Sequence, residues 1–330
     1  MKRETIATDS EAHWLSLRAA DLTSTDVGAL FGLSPYKTKF ELYWQKKSAE
    51  VVKFADNPRM AWGRRLESAV ANGIADDMGW AVRPFKEYMR IPEARLGASF
   101  DFRISGAPMP AGMSVLTGDE RRYYRVSSDT PDDAILEIKC VDFLAFRDGW
   151  TIEDDFIEAP AHIELQVQHQ MLVSGLARAY IGVLVGGNRI EVIERQADPA
   201  VHAGILAAAS QFWADIASGN APDPVMPDDA GAVIQMNQYA APGKLLDARS
   251  NPEVVAAVQA YSQASARAKD AEEEKQVRKA DLLLAIGDAE KVLVDGYSVS
   301  AGLTGPAEIK AYTRAGFRNL RVSVKKAGAK

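Results

Sequence analysis

The chain has 330 residues, of which 47% are hydrophobic and 25% charged, an ordinary globular composition that allows one large core or two medium ones. Its single cysteine, Cys140, excludes a disulfide framework and a cysteine-based zinc or iron–sulfur site. The first residues lack the apolar core of a signal peptide, and no apolar run reaches the roughly 20 residues that span a bilayer. We therefore expect a cytoplasmic protein with no membrane partner.

Charge is distributed unevenly along the chain, whose net charge is −6. Residues 1–65 carry 11 Lys and Arg against 8 Asp and Glu, and residues 310–330 carry 7 basic and no acidic side chains, so the middle is strongly acidic. The net charge argues against a uniformly basic surface that binds nucleic acid. An acidic middle between basic ends suits a metal-holding cleft flanked by phosphate-contacting segments, although solubility and a basic tail would give the same pattern.

Hydrophobic spacing and capping residues predict four helices before the first strands. The second of them is capped by Ser24 or Thr25 and ends at Gly32. The helices are expected at 9–21, 24–32, 34–50 and 60–80, the strands at 84–92, 96–105 and 132–142, and an additional hairpin within 106–131.

Helices and strands then alternate again. A helix is predicted at 162–176, a hairpin at 178–195 and a helix at 199–219, followed by a proline-rich linker, a long helix at 252–286 and a small hairpin built from 291–302 and 318–326. The order predicts an α/β fold, with a central mixed β-sheet flanked by helices. We divide the chain into a core at 1–220, a linker at 221–250 and a C-terminal region at 251–330 that serves assembly or contacts a partner or DNA.

The strand "DDAILEIKCVD" carries the main chemical signal. Side chains two residues apart in a strand share a face, so Glu137 and Lys139 lie together, opposite Leu136, Ile138 and Cys140. Burying a carboxylate and an ammonium is costly unless they are paired or bind a metal. The pair is either a structural ion pair or half of an active site.

Further polar residues have compatible chemistry. Glu67 lies on a helix face, Asp101 lies in a strand and Gln166 lies on the helix after Glu137. Three carboxylates that converge at a sheet end would suit Mg²⁺ or Mn²⁺, and two such ions can hold a phosphodiester while a lysine stabilises developing charge. The spacing alone leaves the ion pair and the metal site both open.

Several sequence motifs occur in a specific order within residues 12–215: "DLTSTDVGALFGLSPYKTKFELYWQKK", "AWGRRLESAV", "LGASFDF", "LEIKC" and "IELQVQHQMLVSG". As a set they resemble the YqaJ-type viral recombinases, the phage λ exonuclease family of the PD-(D/E)xK nucleases. The resemblance implies a restriction-endonuclease-like core in a protein encoded by a phage or prophage. It also implies a Mg²⁺-dependent 5′–3′ exonuclease that digests linear double-stranded DNA and leaves 3′ single-stranded overhangs for a single-strand annealing protein.

The resemblance also implies roles for individual residues. The catalytic set is Glu67, Asp101, Glu137, Lys139 and Gln166. Two Mg²⁺ ions per site, for which Mn²⁺ substitutes, are held by Asp101, Glu137, Glu67 and the backbone carbonyl of Ile138. The 5′-phosphate of the DNA is held by Arg18, Thr25 and Ser99.

Relatives of this type form rings, so we expect a homo-oligomer, with a trimer as the first choice. The SPDG motif that is usual in the family is "SFDF" here, with Phe100 and Phe102 in place of Pro and Gly, so the local turn is expected to differ. Two alternatives remain: an endonuclease of the same superfamily, and a non-catalytic protein of the same fold that binds DNA ends or serves assembly.

Overall fold

The computed structural model describes residues 1–49, 57–105, 133–153, 156–237, 239–303 and 305. The chain divides into two compact units, Met1–Ala232 and Val233–Lys330, so the division falls inside the predicted linker. That linker also contains a helix, Ala230–Met236, which the sequence analysis missed because the surrounding prolines dominate the pattern. The predicted hairpin within 106–131 and the predicted strand at 318–326 lie outside the described residues.

Every helix predicted for the first unit is present, and a further helix at Phe143–Gly149 was not predicted. The helices are α1 (Glu11–Ala20), α2 (Ser24–Leu30), α3 (Lys39–Ser48), α4 (Pro58–Met78), α5 (Phe143–Gly149), α6 (Ala161–Ser174) and α7 (Pro199–Ser218), and α8 is Ala230–Met236. The strands are β1 (Glu4–Ala7), β2 (Leu22–Thr23), β3 (Ala81–Pro84), β4 (Glu87–Ile91), β5 (Leu96–Ala98), β6 (Phe102–Ser105), β7 (Asp133–Val141), β8 (Thr151–Glu153), β9 (Phe156–Glu158), β10 (Arg178–Val185) and β11 (Arg189–Gln196).

The first unit is built around a five-stranded sheet with the order β11-β10-β7-β6-β3. Only β7 and β10 run parallel, so the sheet is mixed. Strand β7 is buried on both faces: Leu136 and Ile138 pack in one apolar cluster with Ile74 of α4, whereas Ile135 packs in another with Val167 of α6. The residues on the Ile135 face continue as Glu137 and Lys139, so α6 covers the polar pair.

The helix α4 lies close to the sheet because β10 carries a glycine beneath it. A Cβ atom on Gly182 would lie 2.5 Å from Cδ1 of Ile74 and 3.0 Å from Cδ1 of Ile138. Atoms at such distances overlap, so a larger residue would force the ends of the Ile74 and Ile138 side chains to move and would disturb the packing between α4 and β7. The close packing holds the helix that carries Glu67 against the strand that carries Glu137.

A second sheet with the order β1-β4-β5-β2 lies in the same unit. The chain passes from β5 in this sheet to β6 in the central sheet through Ser99, Phe100 and Asp101. The ring of Phe100 stacks on Phe85, with centroids 4.3 Å apart and planes at 16°. Residues 99–101 therefore form an anchored connection between two sheets, and the predicted single strand at 96–105 with Asp101 inside it is wrong. The connection places Asp101 beside Ile138 of β7.

The second unit contains α9 (Pro252–Ile286), β12 (Lys291–Val294) and β13 (Tyr297–Ser300). The two strands form an antiparallel hairpin, and the 35 residues of α9 include none that is buried. No helix in the described ranges is both long and apolar enough to cross a membrane. The predicted α/β class is confirmed, with its mixed sheet flanked by helices and its C-terminal long helix. The observed hairpin lies within the predicted segment 291–302, and the predicted pairing of that segment with 318–326 falls outside the described residues.

Candidate active site

Glu137 lies at the centre of a hydrogen-bonded group on the α6 face of β7. Its side chain is almost fully buried, and its Oε1 accepts from Lys139 Nζ and from Gln166 Nε2, both at 2.5 Å. Its Oε2 accepts from Gln170 Nε2 at 2.8 Å. The structure thus brings together Glu137, Lys139 and Gln166 as predicted, and it adds a second glutamine.

Asp101 lies beside this group at the end of the connection from β5. Its Oδ2 accepts from the Ile138 amide N–H at 2.8 Å. Burial, and then the negative charge of Glu137, raise the pKa of Asp101 to about 8. The same two causes, in the same order, raise the pKa of Glu67 on α4. The three carboxyl groups therefore share one electrostatic centre.

The cation of this centre is Lys139. Burial alone would lower the pKa of its ammonium, but Glu137 and Asp101 overcome that effect and raise it. The Lys139 ammonium thus faces several carboxyl groups, and the negative charge of Glu137 adds to burial in raising the pKa values of Asp101 and Glu67.

The carboxyl groups of this centre are suitable ligands for a hard divalent cation, because such cations prefer oxygen ligands. A bound cation would also reduce the electrostatic repulsion among the carboxylates. Within the described ranges, however, no group of three or more His, Cys, Asp or Glu side chains is arranged to hold a metal ion. The observed contact of Ile138 is through its amide rather than its carbonyl. The metal-binding roles of Glu67, Asp101, Glu137 and Ile138 therefore remain predictions.

The three residues predicted to hold a 5′-phosphate lie in one cluster. Arg18 Nη2 donates to Thr25 Oγ1 at 3.3 Å, and its guanidinium lies over the ring of Trp14, 4.6 Å from the centroid. Trp14 Nε1 in turn donates to Ser99 Oγ at 2.8 Å. Trp14 therefore connects Arg18 and Thr25 to Ser99, although the sequence analysis did not include it in the site.

Two cavities flank the carboxylate centre. One, of about 570 Å³, is lined by residues that include Trp14, Glu67, Ser99 and Asp101. The other, of about 390 Å³, is lined by residues that include Thr25, Tyr36, Lys139, His162 and Gln166. Six of the predicted site residues therefore line spaces that a ligand can enter, namely Thr25, Glu67, Ser99, Asp101, Lys139 and Gln166.

The sequence analysis missed two contacting residues, Trp14 and Gln170. A helix brings residues four apart onto the same face. Gln170 follows Gln166 by four residues on α6, so this spacing could have identified it once Gln166 was selected. Trp14 precedes Arg18 by the same interval on α1, and the same signal was available there.

A model of the YqaJ-like viral recombinase domain matches residues 13–177, half of the chain. The chain belongs to this family. The uncharacterized protein YqaJ of Bacillus subtilis (strain 168) is 28% identical over 227 residues, which cover 67% of this chain and 62% of that protein. The match thus spans less than two thirds of this YqaJ relative. The mixed sheet flanked by helices confirms the predicted α/β class, and the restriction-endonuclease-like assignment of the core stays a prediction.

Two solved structures are also similar to this YqaJ-family chain. An alkaline exonuclease (LHK-Exo) from Laribacter hongkongensis is 17% identical, with 63% of this chain and 93% of that chain covered and a TM-score of 0.44. A phage related exonuclease from Haemophilus somnus 129PT is 14% identical, with coverages of 60% and 96% and a TM-score of 0.36. At these identities and TM-scores neither structure transfers a residue role to this chain.

Proposed function

We propose that this YqaJ-family chain is a Mg²⁺-dependent 5′–3′ exonuclease that digests linear double-stranded DNA and leaves 3′ single-stranded overhangs. The observation that carries the proposal is the short connection from Ser99 to Asp101. Ser99 belongs to the Arg18–Thr25 cluster, whereas Asp101 belongs to the carboxylate centre with Glu137. A group that binds a terminal phosphate is thereby held beside a group that suits phosphodiester hydrolysis.

The Arg18 cluster has the chemistry to recognise a terminal phosphate. A guanidinium donates charge-assisted hydrogen bonds to phosphate oxygens, and hydroxyl groups add neutral ones. Because the indole N–H of Trp14 is only a donor, Ser99 Oγ acts as the acceptor in that contact. The proton of the Ser99 hydroxyl is thus available to donate to a phosphate, and anchoring the 5′ end there would set the polarity of digestion.

The carboxylate centre supplies the other half of the chemistry. Asp101 and Glu137, with Glu67 and the Ile138 carbonyl, would hold two divalent ions, which supply Lewis-acid activation of water and of the phosphodiester when bound. The Lys139 ammonium would stabilise the negative charge that develops on the phosphate. Gln166 holds the carboxylate of Glu137 in place through its hydrogen bond to Oε1.

The setting of this activity is part of the same proposal. A 3′ overhang is a substrate for a single-strand annealing protein in phage-type homologous recombination, and we propose such a protein as the partner. We further propose that the chain acts as a homo-oligomer, with a trimeric ring as the first choice, in the cytoplasm of a bacterial host.

A non-catalytic protein that binds DNA ends is the second candidate. The observation that favours it is the lack, among the described residues, of three His, Cys, Asp or Glu side chains arranged around one ion position. In that case Lys139 and Glu137 would form a purely structural ion pair at 2.5 Å, and the Arg18 cluster would account for the whole interaction with DNA.

The experiment compares linear duplexes with and without a 5′-phosphate, in Mg²⁺, for the wild type and for Glu137→Gln. We expect the phosphate to accelerate digestion by the wild type, and we expect Glu137→Gln to lose at least about 10²-fold in rate because a neutral amide replaces a charged ligand. Circular duplex should persist, which separates an exonuclease from an endonuclease. Binding of ends without digestion by the wild type would favour the second candidate.

A further inference from the structure

Gln170 contacts both halves of the candidate site from within α6. Its side chain is 1% exposed, and its Nε2 donates to Glu137 Oε2 at 2.8 Å and to the Ser99 carbonyl oxygen at 3.1 Å. A carbonyl and a carboxylate can only accept, so the NH₂ group of the amide has to face them. These two partners therefore settle the orientation of the amide.

The oxygen of the same amide makes no comparable contact. Gln170 Oε1 is buried and has no hydrogen-bond partner in the part of the chain that the structure describes. A buried acceptor without a donor is unfavourable, and an apolar side chain of similar length would avoid that penalty. Packing alone therefore does not explain a glutamine here, and the two contacts of Nε2 do.

These contacts join β7 to the 99–101 connection, and the register of the strands alone does not fix the Glu137 carboxylate. Phe102 of β6 pairs with Leu136 of β7, which sets the backbone spacing next to Asp101 and Glu137. Rotation about the side-chain bonds of Glu137 is restricted separately, by Lys139 and Gln166 on Oε1 and by Gln170 on Oε2. Gln170 is the donor among these that also contacts the 99–101 connection.

We propose that Gln170 is a positioning residue that holds the Glu137 carboxylate at a fixed distance and orientation relative to the segment that carries Ser99 and Asp101. The inference rests on the proposed function for the divalent cation that Asp101 and Glu137 would share. Residues that orient metal ligands contribute to affinity by restricting the ligands before the ion arrives. Since Ser99 also belongs to the Arg18 cluster, the same amide connects the phosphate-binding group to the carboxylate centre.

The test compares Gln170→Met with Gln168→Met as a matched control. Gln168 is a second buried glutamine of α6, but its side chain contacts the Gln196 carbonyl at 2.8 Å and the Asp198 amide at 3.0 Å, remote from the carboxylates. Methionine has nearly the same length and lacks the hydrogen bonds. Mn²⁺ binding is measured by calorimetry on full-length protein without DNA, and Tm is recorded for each variant.

We expect Gln170→Met to weaken Mn²⁺ binding by about 10–100-fold, the usual effect of removing a residue that orients a ligand. Gln168→Met should retain the wild-type affinity. In Mg²⁺, kcat should fall for Gln170→Met, whereas KM for DNA ends should stay unchanged. Gln170→Asn is the second variant: its amide is one methylene too short to reach both acceptors, so it should lose affinity as well.

Wild-type Mn²⁺ affinity in Gln170→Met or in Gln170→Asn would overturn the assignment, as would equal losses of affinity in the Gln170 and Gln168 variants. A wild type that binds Mn²⁺ but leaves DNA ends intact would contradict the proposed nuclease and leave the assignment of Gln170 standing. A wild type that binds no Mn²⁺ would overturn both.

Discussion

At the scale of single residues, alternation along β7 was sufficient to predict which side chains share the face of Glu137. The alternation could not distinguish a structural ion pair from an active site. In the structure Lys139 is paired with Glu137, and the same carboxylate also accepts hydrogen bonds from two glutamines. Those glutamines come from α6, so their contacts depend on how a helix packs on a sheet. Packing of that kind is not encoded in the local pattern from which Glu137 was selected.

The buried histidine of α6 gives a residue-scale prediction about pH. His169 is fully buried, its Nδ1 lies 3.1 Å from Ser24 Oγ, and burial lowers its pKa to about 3. In the unfolded chain the pKa returns to about 6.5. As the pH falls below 6.5, the unfolded chain binds a proton that the folded chain rejects, so stability falls by as much as about 1.4 kcal/mol per pH unit until the pH nears 3.

Urea unfolding of the wild type and of His169→Gln between pH 7 and pH 5 checks this linkage. The wild type should lose more stability over this interval, because glutamine does not titrate in either state. The other titrating groups are common to both proteins and cancel in the difference. Equal pH dependence in the two proteins would show that His169 binds its proton in the folded state as well.

At the scale of elements, the structure departs from the sequence analysis where tertiary contacts select the boundary. Helix α2 is capped by Thr23, whose N–H donates to Asp26 at 3.0 Å, and not by Ser24 or Thr25 as predicted. All three residues have suitable side chains. Thr23 is favoured because it is also part of β2, which pairs with β5 and thereby fixes where the chain turns into the helix.

A buried lysine holds α1, α2 and α3 together, and no local pattern indicated it. Lys46 Nζ donates to the carbonyl oxygens of Arg18 at 2.7 Å and Asp21 at 2.6 Å, and it pairs with Asp26 Oδ2 at 2.8 Å. Burial alone would raise the pKa of Asp26, but the ammonium groups of Lys46 and Lys37 hold it well below its usual range. The end of α1, which carries Arg18, is therefore fixed by a charge network beneath it.

Lys46→Met should destabilise the fold by about 3–5 kcal/mol, because it leaves the buried Asp26 without a main partner and two carbonyls without a donor. The exposed neighbour Lys47 contacts the rings of Tyr43 and Trp44, and Lys47→Met should cost only about 0–1 kcal/mol. Chemical denaturation of both variants measures the difference. Similar losses in the two variants would show that the network beneath Arg18 does not stabilise the fold.

At the scale of the whole molecule, local sequence determined the long helix α9 of the second unit better than the position of Asp101 in the first unit. The bounds of α9 agree with the prediction because Asn251 caps it, Pro252 begins it and Gly287 ends it. Within the first unit, the position of Asp101 depends on a connection between two sheets, and only the family resemblance could place it beside Glu137. Features that depend on neighbouring residues in the sequence, such as the ends of α9, were thus predicted from the residues themselves. Features that depend on how distant segments meet, such as the position of Asp101, were predicted from the family resemblance.

The exposed length of α9 leads to a prediction about assembly. Val255, Val258 and Tyr261 are exposed on a helix that buries none of its residues. Apolar groups at intervals of three residues form one stripe along a helix, and a stripe left in water favours association with another helix. We expect light scattering coupled to size exclusion to give a mass about three times that of the 35.9 kDa chain, in keeping with the proposed trimer.

Variants of α9 test whether this stripe drives assembly. Val258→Arg places a charge within the stripe and should shift the mass toward that of a single chain, since burying an unpaired guanidinium is unfavourable. Gln263→Arg adds the same charge at an exposed polar position of the same helix and should leave the mass unchanged. A single-chain mass for the wild type would contradict the trimer. A trimer unaffected by Val258→Arg would instead assign assembly to another surface, because the charge would then remain in solvent.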